Sequence, residues 1–169
     1  MQFKDIMLDL ECTDSNNTAA IISIGAVYFN IKEQTLGPEF YTEINLSGVK
    51  KQLEAGRTLS LETLAWWMEQ SDSARNVWVK NQHVKMDIVA ALHEFSKFCR
   101  LNTNSPRVWG NGSDYDNITL GSCYRTFNIK TPWSYSNNRC YRTIKNLFNS
   151  PRTGLHRQGT HHNGLDDAK

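Results

Sequence analysis

The order of apolar and polar positions divides the chain into an early strand-rich part and a later helix-rich part. Ile6-Met7-Leu8 is an apolar run that reads as a buried strand. Ala20 to Phe29 reads as a second strand, in which Gly25 signals a bulge or a close backbone approach. Asn30 to Gly37 is a turn, and Pro38 to Ile44 reads as a third strand. Together they predict an antiparallel meander. Ser60 is placed as an N-cap, followed by an inward stripe of Leu61, Leu64, Ala65 and Met68. A second helix is expected over Asp87 to Arg100, with Ile88, Ala91, Leu92, Phe95 and Phe98 or Cys99 inward. Arg107 to Gly110 reads as a short strand. Further helices are expected over Asp116 to Phe127 and from about Arg139 to Phe148, the last with Cys140, Ile144 and Leu147 inward. The basic stretch from Ser150 to Thr160, with Arg152 and Arg157 as phosphate-contact candidates, reads as a loop. Strands first, then helices around a further strand, predict an α/β domain with a mixed sheet.

Composition changes this picture little. The 169 residues fit a single domain, 39% of them are apolar, and the net charge of +2 comes from 19 basic and 17 acidic residues. Near-balance does not exclude nucleic acid, because a basic groove can coexist with acidic metal ligands. Cys12, Cys99, Cys123 and Cys140 are scattered without a Cys-x-x-Cys pair. That suits reduced thiols in a cytoplasmic setting better than a disulfide framework or a zinc site. The N-terminus runs straight into strand pattern, and no stretch approaches the ~18 apolar residues that span a bilayer. A soluble cytoplasmic protein is therefore expected, with no membrane partner.

The candidate chemistry begins at Asp9-Leu10-Glu11. Residues two apart on a strand share a face, so these carboxylates project side by side. Their repulsion calls for compensation, and a hard divalent cation with oxygen ligands is the common one. A second constellation is Asn111-Gly112-Ser113-Asp114-Tyr115-Asp116, and a third is His161-His162-Asn163-Gly164-Leu165-Asp166-Asp167-Ala168. Each has a plain structural reading: a solvated strand end, capping by Asp114 or Asp116, and a polar tail.

In this order, the three motifs resemble those of the DnaQ-like 3′–5′ exonuclease superfamily of DEDDh type. Its pattern is Asp-x-Glu on the first strand, a second aspartate after an aromatic residue where a helix opens, and His-x-Ala-x-x-Asp-Ala near the end. The Trp66-Trp67 helix and the Trp-Gly-Asn-Gly turn look most like a small bacterial and phage group of exoribonucleases and DNA exonuclease A. The resemblance implies a ribonuclease-H-like fold with helices on both faces of a mixed sheet. It implies a 3′–5′ exonuclease using two Mg²⁺ or Mn²⁺ ions held by Asp9, Glu11, Asp116 and Asp167, with His162 as general base. The substrate it implies is the 3′ end of single-stranded RNA or DNA, released as nucleoside 5′-monophosphates. Cys12, Trp66 and Tyr115 are the implied substrate contacts, with Trp67 a further stacking candidate. Relatives are often homodimers, which makes a second copy the expected protein partner. Departures are Cys12 where Thr is frequent, Gly164 where Ala is usual, and an end two residues past Asp167.

Both His161/Asp166 and His162/Asp167 satisfy a bare His-x₄-Asp spacing. Family members place small residues after the aspartate and two after the histidine. Ala168 and Gly164 meet this, so the register chosen is His162 with Asp167. Two other readings stand beside the exonuclease: a nucleic-acid-binding module without catalysis, and a metal-dependent endonuclease on the same fold. No Walker-type loop or Gly-x-Ser-x-Gly elbow is present.

Overall fold

The structure, a computed structural model, describes residues 3–112, 114–148, 159 and 162–169. The Ser150–Thr160 loop, apart from Gly159, and His161 lie outside the described residues. Strands β1 (Asp5–Cys12), β2 (Ile21–Asn30) and β3 (Thr35–Glu43) form the expected antiparallel meander. The third strand starts earlier than the sequence pattern suggests. The chain reverses within residues 31–34, where Gln34 adopts a φ of 52°, and Leu36 and Gly37 already belong to the ladder. Helices α1 (Leu46–Glu54), α2 (Leu61–Glu69), α3 (Asp72–Val79) and α4 (Ile88–Cys99) follow. Then come β4 (Arg107–Gly110), α5 (Asp116–Thr126), a 3₁₀ turn at Tyr135–Asn137, β5 (Asn138–Cys140), α6 (Tyr141–Leu147) and α7 (Gly164–Ala168).

The five strands are ordered β3-β2-β1-β4-β5, with β4 and β5 parallel to β1 and to each other. Even positions of β1 face the main core. Ile6, Leu8 and Leu10 are buried there with Ile24, Ala26 and Tyr28 of β2. Against this face lies α4: the Tyr28 hydroxyl donates to the carbonyls of Phe98 and Cys99 at 3.1 and 2.8 Å. Next to it α5 buries Leu120, Cys123 and Tyr124, whose hydroxyl donates to the Leu92 carbonyl at 2.7 Å. The opposite face carries α7, laid across β1 and β2. Helices therefore cover both faces.

Four sequence expectations need correction. In α2 the proposed stripe points outward: Leu61 and Met68 are 74% and 63% exposed, and the buried residue is Trp67. Its indole N–H donates to the Cys12 carbonyl at 3.1 Å, a contact that helical periodicity cannot register. Residues 138–140 pair with β4, so α6 starts only at Tyr141. This helix buries none of its residues, and Cys140, Ile144 and Leu147 are not core positions. Helices α1 and α3 lie where no element was expected. Both are capped, by Asn45 accepting from the Gly48 amide and Ser71 accepting from the Ala74 amide, but each buries only two or three residues. All four cysteines are free thiols. Among the described residues, no helix is long and apolar enough to cross a membrane.

Candidate active site

The odd face of β1 carries Asp9 and Glu11 in the company that the register dictates. Asp9 lies opposite Gly25 and Glu11 opposite Ser23. Both carboxylates reach the end of a strand whose alternate residues, Leu8 and Leu10, are locked in the core. The same strand thus anchors itself with one face and presents acid with the other.

Asp116 arrives from the other side of the sheet edge. Strand β4 pairs with β1 only over Asp5 to Met7, so the edge of β1 beyond Leu8 is open. There the Leu10 amide donates to Asp116 Oδ1 at 3.3 Å, fixing the first turn of α5 to the carboxylate strand. Asp116 is buried, and burial pushes its carboxyl up to about 6 against the pull of the Leu10, Asp116 and Asn111 amides. Of the two acids considered as a cap, neither serves α5, whose N-cap is Tyr115 with no side-chain cap bond.

The third group is delivered by α7. His162 has a φ of 63°, a left-handed turn that reverses the chain just before the helix. Asn163 caps the helix, accepting from the amides of Leu165 and Asp166 at 3.1 and 3.2 Å. The His162 amide donates to Asp167 Oδ2 at 3.2 Å, and this backbone bond ties histidine to aspartate. Ligand atoms of Glu11, His162 and Asp167 lie within 4.8 Å of one another. Asp167 thus lies with Glu11 and His162, whereas Asp166 packs beside Gly159.

All five proposed residues, Asp9, Glu11, Asp116, His162 and Asp167, line one cavity of about 360 Å³. Asn111, Gly112, Asp114, Tyr115 and Arg142 complete its wall. Arg142 was not anticipated. It follows the short strand β5, which the sequence pattern had merged into a helix. A second cavity of about 370 Å³ shares Leu10, Glu11 and Tyr115 with the first, and continues past Cys12, Asp14, Thr63 and Trp66.

Two tryptophans flank His162. The Trp66 ring meets the imidazole edge to face at 4.7 Å, and the Trp67 ring does so at 5.9 Å. Both tryptophans border the second cavity, but Trp66 is 41% exposed whereas Trp67 is 2% exposed and bonded to Cys12. Trp66 therefore presents far more of its surface to the cavity than Trp67 does. Tyr115 donates its hydroxyl to the Asp14 carbonyl at 2.6 Å, which holds its ring between the two cavities. Cys12 is buried and lines this second cavity, and its carbonyl accepts from the Trp67 indole, which leaves one lone pair of that oxygen unused by Trp67.

The donor set suits a hard divalent cation. It consists of carboxylate oxygens with one imidazole, and it includes a buried Asp116 whose charge burial alone disfavours. A cation would offset the burial that disfavours the Asp116 charge and the repulsion among the remaining acids.

Comparison with known proteins bears on the fold and the family. The nuclease domain of 3′hExo, a DEDDh family member solved bound to rAMP, superposes with a TM-score of 0.56 at 16% identity, over 98% of this chain and 86% of that one. A full-length 3′-exonuclease superposes with a TM-score of 0.57 at 16% identity, over 99% and 78%. These likenesses establish the ribonuclease-H-like exonuclease fold. An exodeoxyribonuclease of enterobacteria phage T4 is 24% identical over 119 residues, 66% of this chain and 52% of that protein. The chain thus spans about half the length of that curated relative. The family model described as the 3′-5′ exoribonuclease Rv2179c-like domain matches residues 4–169. With nearly the whole chain matched and the acidic cavity assembled as described, the protein belongs to the Rv2179c-like 3′–5′ exoribonuclease family.

Proposed function

We propose that residues 1–169 act as one exonuclease domain that removes nucleotides from the 3′ end of single-stranded RNA or DNA, releasing nucleoside 5′-monophosphates. The observation that carries this reading is the adjacency of the two cavities: an acidic one, and beside it one walled by Trp66 and Tyr115. A terminal nucleoside stacked against an aromatic wall would leave its phosphate over the carboxylates. The family name favours RNA and the phage relative acts on DNA, so both sugars are retained as substrates.

Asp9, Glu11, Asp116 and Asp167 would hold two Mg²⁺ or Mn²⁺ ions. When bound, such a pair polarises a phosphodiester and clamps its attacking and leaving oxygens. The remaining work falls to side chains. His162 stands beside Glu11 and Asp167, where an imidazole nitrogen can take the proton of an attacking water. Its backbone bond to Asp167 keeps this base in register with the acids, and the Trp66 ring limits how far the imidazole can turn. Tyr115, braced on Asp14, offers the second ring against the departing nucleoside.

The test uses 5′-labelled single-stranded RNA and DNA, each with Mg²⁺, Mn²⁺ or EDTA. A ladder shortening stepwise from the 3′ end, abolished by EDTA, is expected. Internal fragments would support an endonuclease instead, and binding without turnover would support a non-catalytic module. The complete set of carboxylates and the histidine speaks against the latter.

A further inference from the structure

We propose that Arg142 grips the phosphate one step upstream of the scissile bond, and so sets the direction in which the strand crosses the cleft. This rests on the exonuclease reading above. The parallel strands β1, β4 and β5 end side by side, and the residues that follow or close them, Glu11, Asn111 and Arg142, meet at the acidic cavity. Such a carboxyl-end crevice is where open α/β sheets take ligands.

Among the described residues that line this cavity, Arg142 is the only Lys or Arg. Its backbone is fixed, because its amide donates to the Asn111 carbonyl at 3.1 Å. Its guanidinium joins no ion pair among the described residues. Arg139, on β5 three residues earlier, behaves differently, spending its guanidinium on the Ser136 and Asn138 carbonyls at 2.7 and 2.9 Å. A planar, permanently charged fork held at the edge of an acidic cavity matches a phosphodiester oxygen pair.

The position also assigns polarity. Arg142, Asn111 and Gly112 line the acidic cavity alone, whereas Trp66 and Cys12 line the aromatic one alone. Arg142 therefore borders a part of the acidic cavity that the aromatic cavity does not share. A strand whose last nucleoside rests on Trp66 has its scissile phosphate over the carboxylates and leaves past Arg142. The guanidinium there meets the next phosphate, not the reacting one. Arg142 is thus a positioning residue, and it should matter only for substrates that possess a second phosphate.

The experiment compares Arg142→Ala and Arg142→Lys with the parent on two substrates. One is a single-stranded oligonucleotide; the other is thymidine 5′-(p-nitrophenyl) phosphate, which has one phosphodiester. Arg142→Ala is expected to raise KM for the oligonucleotide about tenfold or more with little change in kcat, and to leave the mononucleotide ester unchanged. Arg142→Lys should recover part of the loss. The salt slope of log(kcat/KM) for the oligonucleotide should shrink by about 0.7, the value for one phosphate contact on a single strand. A methylphosphonate at the linkage 5′ to the scissile one should cost the parent as much as the alanine costs, and cost the variant nothing further. Equal losses on both substrates, or additive losses with the methylphosphonate, would overturn the assignment while leaving the exonuclease reading intact. Failure of the parent to shorten the oligonucleotide from its 3′ end would overturn both.

Discussion

Gly25 of β2 and Gly164 of α7 meet backbone to backbone, and no side chain fits on Gly25. A β carbon on Gly25 would fall 2.0 Å from the Gly164 carbonyl carbon and 2.1 Å from the Leu165 nitrogen. Gly25 is the residue paired with Asp9, so this contact seats the histidine-bearing helix directly over the carboxylate strand. Gly25→Ala is expected to push α7 off the sheet and carry His162 and Asp167 with it. Displacements of about 1 Å at a catalytic site can cost roughly 10²-fold in rate, and overpacking costs about 1–3 kcal/mol. Turnover with saturating oligonucleotide and the melting temperature measure the two effects. Gly164→Ala is the control. Its β carbon would sit 3.1 Å from the Asp9 carbonyl oxygen, which a shift of a few tenths of an ångström relieves. Activity within a few-fold of the parent is expected, helped by the better helix propensity of alanine. Equal loss in both variants would refute the role given to Gly25.

Asp167 and Asp166 are neighbours with opposite expected fates. Asp167 shares a cluster with Glu11 and His162, whereas Asp166 packs beside Gly159. Asp167→Asn should be nearly inactive and bind Mn²⁺ poorly by calorimetry. Asp166→Asn should keep most of both properties. In the same assays His162→Ala should lower kcat by about 10²–10⁴-fold with Mn²⁺ binding largely kept. Lost Mn²⁺ binding would make His162 a ligand instead of a base.

The tryptophan pair separates in a similar way. Trp67→Ala removes a buried ring and the bond to the Cys12 carbonyl, and should cost about 3–5 kcal/mol in chemical denaturation. Trp66→Ala should leave stability nearly unchanged and raise KM for single strands about tenfold, the scale of one base–aromatic stack. Trp66→Phe should restore most of that affinity. An unchanged KM in Trp66→Ala would remove the aromatic wall from the substrate path.

Acid sensitivity has a source away from the site. Asp87 caps α4, accepting from the Val89 amide at 2.9 Å, and pairs with Lys51 at 2.6 Å. Partial burial works against its charge, but the Lys51 ammonium and the Val89 and Ala90 amides outweigh it and hold the carboxyl below its ordinary value. A lowered folded-state value stabilises the fold above the unfolded value of about 3.9 and ceases to do so as pH falls through the folded one. Asp87→Ala should therefore cost about 1 kcal/mol at pH 7, with the gap closing below about pH 4. Urea unfolding across that range checks it. A gap that stays constant in acid would leave the cap without an electrostatic part.

What could be read along the chain was whatever depends on near neighbours. Alternation placed β1, and with it the side-by-side projection of Asp9 and Glu11, because residues two apart on a strand share a face wherever the strand goes. The stripe of α4 was legible for the same reason: Ile88, Ala91, Leu92 and Phe95 recur at helical spacing and all four are buried. Motif order then tied Asp116 and the His162–Asp167 pair to that strand. Contacts made across the chain were decided by the tertiary structure alone. Trp67 was buried ahead of Leu61 and Met68 because the Cys12 carbonyl and His162 happen to lie beneath it. Residues 138–140 became a strand because β4 offered a free edge, and this moved Arg142 to the acidic cavity. The glycine at position 25 announced a close approach, but only the fold supplied its partner, because packing pairs residues that no local period relates.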